Sequence, residues 1–270
     1  MTAPEVAGAR VAGLEVEELT VRYGGKTAVD GLSLAAPLGR VTGLIGPNGA
    51  GKTTTFGAVS GLVAPAAGTV RLFGQDVSRR SAAARARLGL GRTFQQPELC
   101  PSLTVKDNVA LGCEALAAGG NPWRQIVPRR KDTARLREQA AAALTACGLT
   151  DLAEVPVAAL SVGQRRLVEL ARVHAGGYRM LLLDEPSSGL DPAETTRFGA
   201  IVRQLVAGSG AGVLLVEHDM SLVMEICDFL YTLDFGQLIF AGTPAETRAS
   251  AAVRAAYLGD GDAAFQAAEH

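Results

Sequence analysis

The eight residues GPNGAGKT, Gly46–Thr53, constrain this chain more than any other stretch. They fit the pattern GxxxxGK[ST] and stand between an apolar run, RVTGLI over Arg40–Ile45, and a helix-compatible run from Lys52 to Val59. Strand, glycine-rich turn and helix in that order form the context the pattern requires. Glycines let successive backbone N–H groups curl around phosphate oxygens, and the start of the helix adds the positive end of a dipole. In such a cradle Lys52 reaches the β and γ phosphates of a nucleotide, and Thr53 offers its hydroxyl to Mg²⁺. The candidate phosphate-binding residues are therefore Gly46, Pro47, Asn48, Gly49, Ala50, Gly51, Lys52, Thr53 and Thr54.

A second stretch, RMLLLDEP, ends an apolar strand on Asp184 and Glu185. Ligands of parallel α/β sheets bind at the carboxyl ends of the strands, so both carboxylates are placed where a ligand would lie. Asp184 is read as a Mg²⁺ holder, directly or through water. Glu185 is read as the group that orients and deprotonates an attacking water. Alone, Asp-Glu at a strand end is an ordinary solvated terminus; next to Gly46–Thr53 it reads as the other half of an ATP site.

The rest of the chain fits an α/β organisation. In LEVEELTVRY, residues 14–23, Leu14 and Val16 and then Leu19, Val21 and Tyr23 alternate with polar residues, which is strand periodicity. GTVRLFG, Gly68–Gly74, reads as another strand bounded by glycines. From Ser81 to about Ala175 the composition turns to Ala, Arg and Leu, a helical insert with breaks around Gly119–Pro128 and Val155–Leu160. Apolar runs return at Met180–Leu183 and Val213–Val216, separated by a helical stretch, the alternation of a mostly parallel sheet.

Composition excludes several classes. With 48% apolar and 20% charged residues the chain is globular rather than disordered. Its 26 basic and 27 acidic residues leave a net charge of -1, so no bulk positive field would hold nucleic acid. The most apolar runs are too short to span a bilayer, and MTAPEVAGAR lacks the charged and apolar regions of a secretory leader, so a cytosolic chain is expected. Cys100, Cys113, Cys147 and Cys227 are irregularly spaced without a CxxC pair, and read as ordinary reduced thiols.

Further motifs follow in a telling order: TFQQP with Gln95, LSVGQRR at Leu160–Arg166, SSGLDP with Asp191, and VEHDM with His218. Together with the two halves of the ATP site, they make the sequence resemble the ATP-binding subunits of ABC transporters over almost its whole length. The resemblance implies an α/β P-loop nucleoside-triphosphatase fold of the ABC ATPase type: a mixed, mostly parallel sheet, an antiparallel β subdomain and a helical subdomain over roughly 96–175. A single ATP-binding domain over 13–258 would then lie between flexible tails at 1–12 and 259–270.

The same resemblance distributes roles. Tyr23 would stack on adenine, Gln95 would sense the metal and the γ phosphate, and His218 would serve as the switch histidine. Mg²⁺ would be held by Thr53, Gln95 and Asp184, and ATP would be hydrolysed through Glu185, His218 and Gln95. Ser161, Val162, Gly163 and Gln164 form the signature that contacts ATP bound by the opposite subunit, and Asp191 belongs to the loop that follows the catalytic carboxylates. Val162 stands where the family pattern has glycine; its branched side chain is expected to crowd the partner's nucleotide and slow hydrolysis at that site.

GRTFQ, the long insert after Asn108, EHDMSLVMEICD and the ending AYLG resemble one branch, the subunits serving importers of branched-chain and other hydrophobic amino acids, with urea and short-chain amide importers as relatives. In that branch two different ATP-binding subunits usually pair, which implies a heterodimer here with a homodimer as the alternative, together with two membrane permeases and a solute-binding protein at the cytoplasmic face of the membrane. The resemblance thus implies an ATPase coupling hydrolysis at a subunit interface to alternating access in separate membrane subunits. A soluble ABC ATPase acting on nucleic acid or ribosomes is the rival, but such proteins usually carry two cassettes, zinc modules or long coiled-coil arms, which this sequence lacks. Trp123 and the basic run PRRKDTARLR at Pro128–Arg137 read as a solvated helix face, with contact to a membrane subunit or to anionic headgroups as the other reading.

Overall fold

The structure, a computed structural model, describes residues 12–93, 98–117 and 130–257. Gln95, Trp123, the break expected at Gly119–Pro128 and both tails except Ala12 lie outside them. Two sheets organise the described chain. The first is antiparallel, in the order β2-β1-β4-β5, formed by β1 (Gly13–Tyr23), β2 (Lys26–Pro37), β4 (Ala67–Leu72) and β5 (Gln75–Asp76). Leu14, Val16, Leu19 and Val21 are all buried, as their alternation requires. The alternation changes phase after Val16 because the register slips between Val16 and Leu19, with Glu18 at φ 49.

The second sheet runs β10-β9-β3-β8-β7-β6. Here β3 (Val41–Ile45), β6 (Leu90–Arg92), β7 (Met180–Asp184), β8 (Gly212–Val216) and β9 (Phe229–Asp234) are parallel, and β10 (Gln237–Gly242) closes one edge antiparallel to β9. Every residue of β3, β7 and β8 is buried, as expected of strands covered on both faces. Their side chains divide by strand period between two cores. Val41, Ile45, Leu181, Leu183, Val213 and Leu215 face a helical layer. Leu44, Met180, Leu182, Leu214 and Val216 face the antiparallel sheet and the helix α1 (Lys52–Ser60).

The helical layer contains α3 (Val105–Ala117), α4 (Arg130–Ala146) and α5 (Val162–Ala175), which pack on one another, and α6 (Pro192–Ser209). The break expected at Val155–Leu160 is present: two 3₁₀ turns, Thr150–Leu152 and Val157–Ala159, separate α4 from α5. One correction concerns the stretch from Ser81 onward, which is not wholly helical. After α2 (Ala82–Leu88), Gly89 at φ 111 ends the helix and Leu90–Arg92 pairs with β7, a strand too short to show periodicity. Short helices α7 (Met220–Ile226), α8 (Pro244–Ala249) and α9 (Ala251–Tyr257) complete the described chain. Among the described residues no helix is long and apolar enough to cross a membrane.

Candidate active site

Strand register sets the site. Leu44 of β3 and Asp184 of β7 are both paired with Val216 of β8, so three parallel strands end at one level. From that level depart the loop Gly46–Gly51, the carboxylates Asp184 and Glu185, and the turn carrying Glu217 and His218. Chemistry separated by more than 170 positions in the sequence is thereby gathered on one sheet edge.

The phosphate loop depends on its glycines. Gly46 has φ 150, and a methyl group there would sit 2.2 Å from the Leu233 carbonyl oxygen; Gly51 has φ 102 and meets the Ala28 carbonyl oxygen at 2.7 Å in the same test. Gly51 is also the N-cap of α1, with no side-chain cap and no acidic residue in the first turn. No capping side chain competes for the N–H groups at the start of α1, an arrangement suited to an anion. Lys52 is buried; its Nζ donates to the carbonyl oxygens of Gly46 at 2.6 Å and Pro47 at 2.9 Å, which arches its side chain over the loop.

Asp184 is buried and receives a hydrogen bond from Arg92 Nη2 at 3.0 Å, while Arg92 Nη1 reaches Ser60 Oγ at 2.7 Å and the guanidinium lies over the Phe56 ring. Burial pushes the Asp184 carboxyl above its ordinary range, and the Arg92 charge opposes that rise. Glu185, at φ 45, is lifted out of the strand direction and donates its N–H to Val216 O at 2.9 Å. Its Oε2 stands 4.0 Å from Nδ1 of the exposed His218. Beneath them, Glu217 is fully buried and accepts from the N–H groups of Ser187 at 2.7 Å and His218 at 3.0 Å. Burial raises its carboxyl above the usual range, against the pull of those donors. One side chain thus ties the loop after Glu185 to the loop of His218.

Tyr23, Asn48, Gly49, Gly51, Lys52, Thr53, Thr54 and Glu185 line one cavity of about 450 Å³. Gly46 and Ala50 are buried behind it, and Asp184 and His218 stand beside it at the strand ends rather than in its lining. Four residues that the sequence reading did not single out also line it: Lys26, Thr27, Ala28 and Phe235. Arg92 and Glu217 were likewise overlooked; each sits inside a quoted motif, GRTFQ and VEHDM, but its partner is set by tertiary contact.

Ser161 and Asp191 are not among the cavity's lining. Both cap helices reciprocally: Ser161 with Gln164 at the start of α5, and Asp191 with Glu194 at the start of α6. The two starts touch, since a methyl on Gly163 would meet Glu194 Oε1 at 2.4 Å and one on Gly189 would meet Val162 Cγ1 at 3.3 Å. Ser161, Val162, Gly189 and Asp191 are all exposed around this contact.

Thr53, whose residue is exposed at the start of α1, and Asp184 offer only hard oxygen donors. Among the described residues no cluster of three His, Cys, Asp or Glu could hold a metal by itself. That donor set fits Mg²⁺, which keeps several waters and is bound through one or two protein oxygens together with a nucleotide's phosphates.

Known proteins agree with this picture. A family model described as ABC transporter matches residues 29–188. The chain is 37% identical over 253 residues to the high-affinity branched-chain amino acid transport ATP-binding protein BraF of Pseudomonas aeruginosa, covering 92% of this chain and 98% of that protein. It is 35% identical over 249 residues to the corresponding LivG protein of Escherichia coli K12, with the same coverage. A crystal structure of an ATP-binding cassette of an ABC transporter in its ADP conformation superposes with a TM-score of 0.80 at 28% identity, over 92% of this chain and 98% of that one. On the cradle, the carboxylate pair and these likenesses, the chain belongs to the ABC transporter family, as an ATP-binding subunit that hydrolyses ATP.

Proposed function

We propose that this chain powers an importer of branched-chain or other hydrophobic amino acids, paired with a second ATP-binding subunit beneath two membrane permeases at the cytoplasmic face of the membrane. The observation that carries the reading is the likeness to BraF and LivG along nearly the full length of both chains. In this reading the loop from Gly46 to Thr54 wraps the phosphates with backbone N–H groups, and Lys52 swings from the Gly46 and Pro47 carbonyls onto the β and γ phosphates. Tyr23 stacks on the base. Thr53 and Asp184, with Gln95, would hold Mg²⁺, which would supply positive charge to the phosphate oxygens.

Glu185 orients a water and takes its proton as the water oxygen bonds to the γ-phosphorus; the bond to the bridging oxygen breaks, leaving ADP and phosphate. His218, 4.0 Å from Glu185, is poised to contact the γ-phosphate oxygens. The surface of Ser161–Gln164 and Asp191 faces the partner's nucleotide, so two subunits close over two ATP molecules.

Glu185→Gln tests the reading. The variant is expected to retain ATP and lose turnover by at least about a hundredfold, the scale of a general base. Pulled down in detergent with ATP and Mg²⁺, it should bring polytopic membrane chains and a second ATP-binding subunit. Recovery of ribosomes or DNA-bound factors would overturn the transport role, and near-normal turnover would overturn the role of Glu185. A urea or amide ligand on the associated solute-binding protein would reassign the solute.

A further inference from the structure

Phe235 is the most exposed large apolar residue among those described, at 88%, and it lines the same cavity as Tyr23, Asn48, Lys52 and Glu185. It occupies the first central position of the two-residue turn between β9 and β10, where Phe235 and Gly236 have φ 43 and 81 and Asp234 pairs with Gln237. A turn of this kind favours asparagine or aspartate before glycine, and a bulky aromatic there is held in a disfavoured backbone region. The chain therefore keeps an aromatic ring in water, on a backbone that suits it poorly.

That turn is rigidly joined to the phosphate loop. Gly236 N donates to Ala50 O at 3.0 Å, and Asp30 N donates to Gly236 O at 2.9 Å. Gln237 Nε2 also reaches Asp30 Oδ2 at 3.3 Å. Phe235 thus stands at a fixed place relative to the loop that holds the phosphates, on a tethered hairpin. An exposed ring so placed has the flat apolar face that a nucleobase seeks, and stacking on it needs no hydrogen-bond matching.

We propose that Phe235 is a second base-contacting residue of the nucleotide site, holding the purine of ATP together with Tyr23. The inference rests on the cavity being the ATP site. Phe235 then adds affinity through the base and not through the phosphates, a distinction that a phosphate-only ligand can read.

Calorimetric titration of the purified full chain with Mg-ATP and with Mg-tripolyphosphate tests it, using Phe235→Asn and Phe235→Trp. Asparagine suits the turn, so the first variant removes the ring without straining the fold. Expected is a loss of about tenfold in ATP affinity for Phe235→Asn, with tripolyphosphate affinity unchanged and ATP affinity kept by Phe235→Trp. Unchanged ATP affinity in Phe235→Asn, or equal losses for both ligands, would overturn the proposal while leaving the ATP site standing. A wild-type chain that binds neither ligand would overturn both.

Discussion

Val162 leans its Cγ1 methyl toward Gly189 and stands 51% exposed at the first position of α5, on the surface expected to meet a partner's nucleotide. Replacing it with glycine is expected to raise the ATPase rate of the assembled complex about fivefold, the equivalent of about 1 kcal/mol of relieved crowding. A steady-state assay of phosphate release checks this, and an unchanged rate would count against crowding. Residues of the site were legible in sequence where they sit in short motifs with local logic, as Lys52 and Thr53 do at the start of a helix. Arg92 was not, because its partner Asp184 lies 92 positions away and only the β6–β7 pairing brings them together. Phe235 carried no signal either: it is one apolar residue in a turn, and its meaning lies in the Gly236–Ala50 hydrogen bond.

Among the elements, α1 carries the phosphate loop at one end and is anchored at the other by a fully buried arginine. Arg85 of α2 donates through Nη1 to the carbonyl oxygens of Ala58 at 2.7 Å and Val59 at 2.6 Å, and through Nη2 to Ser78 O at 3.1 Å. A cation against the carboxyl end of a helix also meets the negative end of its dipole. Arg85→Met would take the charged donor from these buried oxygens and is expected to destabilise the chain by about 3 kcal/mol. Urea unfolding followed by circular dichroism would measure it, and a midpoint shift near zero would show the tie to be dispensable. Elements with a clear pattern, the alternation of β1 and the apolar runs at the centre of the fully buried β7 and β8, were readable from the sequence. The three-residue β6 escaped because pairing to β7, and not its own pattern, makes it a strand. In β1 the two halves of the alternation were visible, but the bulge at Glu18 that joins them was not.

At the scale of the molecule, two cores enclose the central sheet, and the thiols report on how well they are closed. Cys113, Cys147 and Cys227 are buried, and Cys100 is exposed. Burial pushes the Cys147 thiol up to about 12 and raises that of Cys227 as well, so neither offers thiolate at neutral pH. Iodoacetamide at neutral pH is expected to label one thiol per native chain, at Cys100, and four in denaturant. Mass spectrometry reads the count, and early labelling of Cys147 would indicate an opening of the helical layer.

The shared level of Leu44, Val216 and Asp184 works like a ruler. One residue of slippage along a strand is about 3.3 Å and turns every side chain to the other face, whereas reacting groups tolerate displacements of about 0.5 Å. The tolerance of the chemistry is therefore inherited from leucines and valines that never meet a phosphate. The loops that carry the chemistry can keep their places only while the alignment of three short strands holds.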